Sequence, residues 1–142
     1  MSDLFAVDLA LDLSPTVPAA VLDRLRRHLG FDVGGDERDA GDETPDFVPL
    51  LDRRGPAARI GGVLTGELVQ GNGHWSLTAR QEIHAELLPD LDELAEMLAR
   101  NAKVGGVIGQ VRFHEEDIPE LLINRSGALV KLRLREADST AS

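Results

Sequence analysis

The chain has no cysteine among its 142 residues. Disulfides and thiolate metal centres are thereby excluded, and a reducing cytosol is the natural compartment. Long apolar runs are missing as well. None approaches the ~20 residues of a membrane-spanning helix, and the opening "MSDLFAVDLALDL" carries acids where a secretory signal would carry Lys or Arg. A soluble, cytoplasmic protein without a membrane partner is expected. Basic charge is scarce: 15 Lys and Arg stand against 25 Asp and Glu, for a formal charge of −10. Binding to a phosphate backbone needs a basic stripe that releases counterions, and none is visible, so nucleic acid is not an expected partner. The acidity suits solubility, or attraction to a basic protein.

Compact catalytic motifs are also lacking. There is no H-E-x-x-H, no nucleophile elbow, no Ser–His–Asp spacing and no phosphate loop; "GGVLTG" has neither the G-x-G-x-x-G order nor a helix after it. The aspartates of the acidic stretch do not follow the calcium-loop order D-x-[DN]-x-[DN]-G. No cofactor is expected.

What is present is pattern. "LFAVDLALDL" (4–13) alternates, with Phe5, Val7, Leu9, Leu11 and Leu13 on one face and Asp8 and Asp12 on the other, as a half-buried strand does. A helix follows in "SPTVPAAVLDRLRRHLGF". Thr16 is its expected N-cap, Pro18 lies in its first turn, and Val17, Val21, Leu25 and Leu29 form its stripe. Arg26, Arg27 and His28 suit the negative end of its dipole, and Gly30 can take a left-handed cap.

Residues 32–58 break every period and read as a long acidic loop whose far end, "FVPLL" (47–51), docks on the core. The 34–46 part is expected to be mobile. "IGGVLTGELVQGNGHWSLTARQEI" then reads as a hairpin turning at Asn72-Gly73. That turn sets Leu68 opposite Leu77, Gly66 opposite Ala79, Gly62 opposite Ile83, Glu67 opposite Thr78 and Thr65 opposite Arg80. Trp75 is expected on the buried side.

A second helix occupies "PDLDELAEMLARNAKVGG", with Asp90 as cap, Glu93 answering it, and Leu91, Leu94, Ala95, Leu98 and Ala102 as its stripe. "GVIGQVRFHEED" is a strand with Val107, Val111 and Phe113 opposed to Gln110, Arg112 and His114. "ELLINRSGALVKLRL" is a terminal hairpin turning at Arg125-Ser126-Gly127. The order strand–helix–strand–strand–helix–strand predicts an α+β, ferredoxin-like βαββαβ domain over 1–136. Its antiparallel sheet would carry both helices on one face and the C-terminal β-hairpin as an addition, with 137–142 as a flexible tail.

The segments "RGPAARIGG", "SLTARQEIH" and "VRFHEEDIPELLINRSG" resemble those of a family of small uncharacterised actinobacterial proteins. The resemblance covers most of the chain after the acidic loop. It implies a single cytoplasmic domain and carries no activity to transfer.

The stretch "SLTARQEIHAEL" (76–87) raises the functional question. Read as a strand, it puts Thr78, Arg80, Glu82, His84 and Glu86 on one face, and the expected fold brings Asp8, Arg112 and His114 to the same side. Three readings follow. The first is a solvated or self-associating face with cross-strand pairs such as Asp8–Arg112 or Glu82–Arg80, in a non-catalytic interaction or regulatory module. Its homodimer would form through the terminal hairpin or the Asp8–Glu82–His84–Arg112 face. The second is a small enzyme: Glu82 and His84 with His114 or Asp8 would ligate a metal, or Glu82, His84, His114 and Arg80 would do acid–base work. The third is an acidic binder that presents residues 36–46 to a basic protein partner.

Overall fold

The alternating "LFAVDLALD" becomes the middle strand of the sheet, β1 (Leu4–Asp12), in a computed structural model that describes residues 3–31, 49–116 and 118–133. Helix α1 (Ala19–His28) and the two-residue strand β2 (Gly55–Pro56) come next, followed by β3 (Val63–Gln70) and β4 (Trp75–His84). Helix α2 (Leu88–Arg100) then leads to β5 (Gly106–Phe113), β6 (Glu120–Arg125) and β7 (Ala128–Arg133). The result is α+β, with two helices and a seven-stranded antiparallel sheet of order β2-β3-β4-β1-β5-β6-β7 among the described residues.

This order is not the ferredoxin-like one expected. Strands β1 and β4 are neighbours in the middle, but both edges are extended. Gly55–Pro56, read from sequence as loop, pairs outside β3, and the terminal hairpin lies beyond β5 in the same sheet. The expectations for residues 34–46 and for the 137–142 tail fall outside the described residues.

One core serves both helices. Leu25 and Leu29 at the end of α1 meet Leu91, Leu94 and Leu98 of α2 in the same cluster as Val7 and Leu9 of β1 and Leu77, Ala79 and Ile83 of β4. Burying each such side chain contributes about 1.5–3 kcal/mol, which outweighs the weak caps described next. Of the docking segment, Leu50 and Leu51 are buried in this core as expected.

The caps differ from their sequence reading. Pro18 itself occupies the N-cap of α1, with no side-chain hydrogen bond, while the Thr16 hydroxyl is 2.9 Å from that of Ser14. Helix α2 begins at Leu88 because a 3₁₀ turn, Ala85–Leu87, runs straight into it. Asp90 therefore sits in the first turn as a dipole partner and does not cap. At the other end of α1 the expectation holds. Gly30 (φ +89°) donates to the Arg27 carbonyl and Phe31 to that of Arg26, the paired bonds of a Schellman cap.

The β3–β4 register is the one read from sequence, from Thr65 opposite Arg80 to Leu68 opposite Leu77. It stops short of Gly62, and the turn is looser than anticipated: Gly73 (φ +80°) has a positive φ, Asn72 does not, and the Gly73 N–H donates to the Gly71 carbonyl. The primed two-residue turn is found in the other hairpin. There Ser126 (φ 54°) and Gly127 (φ 88°) lie between the paired Arg125 and Ala128, so Arg125 belongs to the strand. In β5 a bulge between Val107 and Gly109 reverses the facing of the first residues. Val107, expected inside, is 56% exposed, and Ile108 is buried in its place.

Candidate functional site

The strand register assembles the face opposite the helices in rows across β4, β1 and β5. His84, Leu4 and His114 form the first row, Glu82, Ala6 and Arg112 the second, and Arg80, Asp8 and Gln110 the third. All five candidate residues, Asp8, Arg80, Glu82, His84 and His114, therefore share one face, as expected. They do not converge. His84 and His114 flank Leu4 from opposite strands, two strand spacings or roughly 10 Å apart at the backbone. Among the described residues no group of three His, Asp or Glu is placed to hold a metal ion.

Each charged member has a specific contact. Asp8 pairs with Arg80 (3.8 Å) and not with Arg112 as anticipated, because Arg112 turns along its own strand end to donate to the Glu116 carbonyl at 2.6 Å. Arg80 also donates to the Gly61 carbonyl (2.8 Å). Farther down, Asp12 accepts from the Ser76 hydroxyl (2.6 Å) and lies 3.5 Å from the His74 ring. The His114 ring packs on Phe113 with centroids 4.8 Å apart and lies 3.9 Å from Glu115. His84 differs from these, since its Nδ1 is buried without a hydrogen-bond partner.

Glu82 is the best-held of the set. Its carboxylate is buried and accepts three consecutive backbone N–H bonds, from Ala58, Arg59 and Ile60, at 2.8, 2.5 and 3.0 Å. Burial alone would raise its pKa. The three donors, helped by the charge of Arg53, outweigh that and hold the carboxyl below the ordinary range. Such a carboxylate is a fastening point for residues 58–60, and most of its acceptor capacity is already committed. The expected Glu82–Arg80 pair is not formed; backbone donors have taken its place.

The same incoming segment is fastened on the opposite face by a residue that sequence reasoning passed over. Gln81, fully buried on the helix side, accepts from the Arg53 N–H (3.1 Å) and donates to the carbonyls of Arg53 (3.0 Å) and Thr65 (2.8 Å). Its amide thus replaces a missing strand partner. Adjacent side chains of a strand point to opposite faces, so Gln81 and Glu82 grip the 53–60 strap from both sides of the sheet as it rounds the end of β3. The signal was available in sequence as an amide in an otherwise apolar alternation.

The strap is anchored at its root by His28. Its Nδ1 accepts the Leu50 N–H (3.2 Å) and its carbonyl accepts that of Leu51 (2.9 Å). Desolvation, with Arg24 nearby, lowers its pKa to about 4. His28 is therefore neutral in the interior and adds no charge to the helix end, contrary to the sequence reading. Arg26 is shared between Asp23 (3.2 Å) and the face of Trp75, 5.2 Å from the ring centroid. Trp75 packs against the core, as expected.

Beyond β5 the same face changes character. Leu121 lies opposite Leu132, Ile123 opposite Val130, and Val107 opposite Ile123. Val107 and Leu132 are 56% and 49% exposed, and the rest are half-buried. Strand β7 ends the sheet, so this apolar surface runs up to an edge with no neighbour among the described residues.

No protein-family model, curated protein or solved structure matches the chain. Among the described residues, no helix is long and apolar enough to cross a membrane.

Proposed function

We propose that the protein is a non-catalytic, cytoplasmic interaction module that forms a homodimer through its C-terminal hairpin. The observation that carries this reading is the apolar surface of Val107, Leu121, Ile123, Val130 and Leu132 beside the open edge of β7. An edge strand offers unpaired N–H and C=O groups, and contiguous apolar side chains next to it favour pairing over solvation. A second copy is the occupant favoured by the self-complementarity of the edge. Lys131 and Arg133 are already paired within the chain, with Asp92 and Glu116 at 2.6 Å each, so two copies of β7 meet without opposing unpaired cations. Antiparallel pairing of β7 with itself about Val130 sets Leu132 against Ala128 and keeps both apolar surfaces on one side.

In this reading the inner strands β3-β4-β1-β5 with their helices are a ferredoxin-like unit, to which β2 and the β6–β7 hairpin were added. Kinship with the small actinobacterial family belongs to the same proposal. The enzyme reading has one observation in its favour, the unpartnered Nδ1 of His84, while among the described residues no group of three His, Asp or Glu is placed to hold a metal ion. The basic-partner reading rests on residues 36–46, outside the described part.

Sedimentation equilibrium at micromolar concentration tests the proposal. The wild-type chain should be a dimer and Leu132→Lys a folded monomer. A wild-type monomer, or a dimer unaffected by Leu132→Lys, would overturn the assignment.

A further inference from the structure

Between the first turns of α2 and the helix-side face of β1, β5, β6 and β7 lies a cleft of about 130 Å³. Its floor is apolar. Phe5 and Phe113 contribute rings 5.3 Å apart and tilted by 51°, and Leu91 and Leu122 close the other walls. A cavity of ~150 Å³ with such walls accommodates a benzene ring, so the space matches one ring or a branched alkyl group.

The mouth is charged, and its charges are unequally satisfied. Lys131 is 2.6 Å from Asp92, and Arg133 is 2.6 Å from Glu116. Those pairs neutralise both cations. Glu120 also lines the cleft, is half-buried, and has no hydrogen-bond or ion-pair partner among the described residues, although Arg133 is its cross-strand neighbour. The cleft thus joins an apolar floor to one uncompensated carboxylate, on a chain whose overall charge attracts cations.

We infer that this cleft binds a small primary amine with an aromatic or branched apolar body, the body on the Phe5–Phe113 floor and the ammonium on Glu120. An ammonium adds a charge-assisted hydrogen bond to the carboxylate, which favours a cation over a neutral or anionic head. Carboxylate ligands are disfavoured because Lys131 and Arg133 are already paired. The cleft opens on the helix side of the sheet and the apolar dimer surface proposed above lies on the other; the two share strand β7, whose Lys131 and Arg133 line the cleft mouth.

Benzylamine, with benzyl alcohol and benzoate as matched probes, tests this on the full chain by backbone-amide and leucine-methyl NMR shifts. Benzylamine should bind saturably, with shifts centred on Leu91, Leu122 and Phe113, at least tenfold more tightly than benzyl alcohol. Glu120→Gln, on a half-buried strand position, should erase that difference while leaving the spectrum folded; Glu67→Gln, at an exposed carboxylate of β3 away from the cleft, should retain it. Equal affinity for amine and alcohol, tighter benzoate binding, shifts scattered over the acidic surface, or an unaltered preference in Glu120→Gln would each overturn the assignment.

Discussion

The two halves of the face opposite the helices are built from the same antiparallel ladder but use their side chains differently. On β4 and β1 the polar groups are engaged within the chain: Glu82 holds three N–H donors, Arg80 holds Asp8 and the Gly61 carbonyl, and Asp12 holds Ser76. On β6, β7 and the start of β5 the corresponding positions are Val107, Leu121, Ile123, Val130 and Leu132; among the described residues Val107 and Leu132 are exposed and the other three half-buried. A charged face suggests a site by its composition, yet most charges of this one make contacts within the chain. The apolar half makes no such polar contacts among the described residues, and it is the half the proposed dimer uses.

That contrast predicts where substitutions register. The largest effect should come from Glu82→Ala, which strands three backbone donors at a buried position and should cost about 3–5 kcal/mol in urea melts, with Glu82→Gln recovering part of the loss. A loss below about 1 kcal/mol would mean that the strap does not depend on this carboxylate and that the charged half is freer than described.

Next is the root of the strap, read through pH. The folded-state pKa of His28 is depressed to about 4, below the ordinary 6.5, so the unfolded chain takes up the proton first as acid is added. The stability contributed by neutral His28 is complete above about 6.5 and is lost progressively down to about 4, amounting to about 3 kcal/mol. Glu82 acts in the same direction in a lower window. Its carboxyl is also depressed, so its contribution is present above the ordinary 4.5 and lost as pH falls through its folded value. Thermal melts between pH 4 and 7 should therefore slope in the wild type and flatten in His28→Gln, with the slope below pH 4.5 retained. An unchanged slope in the variant would detach His28 from the strap.

The smallest effect belongs to the apolar half. Leu132→Lys should change monomer stability by no more than about 0.5 kcal/mol, because an exposed edge side chain has little packing to lose. A loss above about 2 kcal/mol would show that Leu132 is covered by its own chain, and the contrast between the halves would vanish.

Much of this arrangement was legible beforehand. The β3–β4 register followed from an alternation that agreed on both strands, and the helices from leucines at helical spacing closed by Gly30. The face shared by Asp8, Arg80, Glu82, His84 and His114 followed from period two within each strand together with the expected placing of the strands in one sheet. What escaped were features set by single backbone events or by distant segments. The bulge at Val107 inverts a facing that alternation reads as regular, and no local residue announces it. The roles of Glu82 and Gln81 depend on residues 53–60, more than 20 positions away, whose docking no local period encodes. The primed turn formed at Ser126-Gly127, where the residue preference is weaker than at Asn72-Gly73. Pairing across the strands decided the geometry there.

Gripping one strap from neighbouring positions of β4 also makes that strand intolerant of misalignment. A slip of one residue against β1 would carry the Gln81 amide and the Ile83 side chain to the open face and drive the Glu82 carboxylate beneath the helices, opposite Val7 or Phe5. A shift of that kind in an ordinary half-buried strand exposes some apolar area; here it would also bury a charge and orphan the donors of Ala58, Arg59 and Ile60 in the same step. The pair therefore acts as a proofreading key for strand alignment, admitting the native register and penalising its nearest competitor on both faces at once.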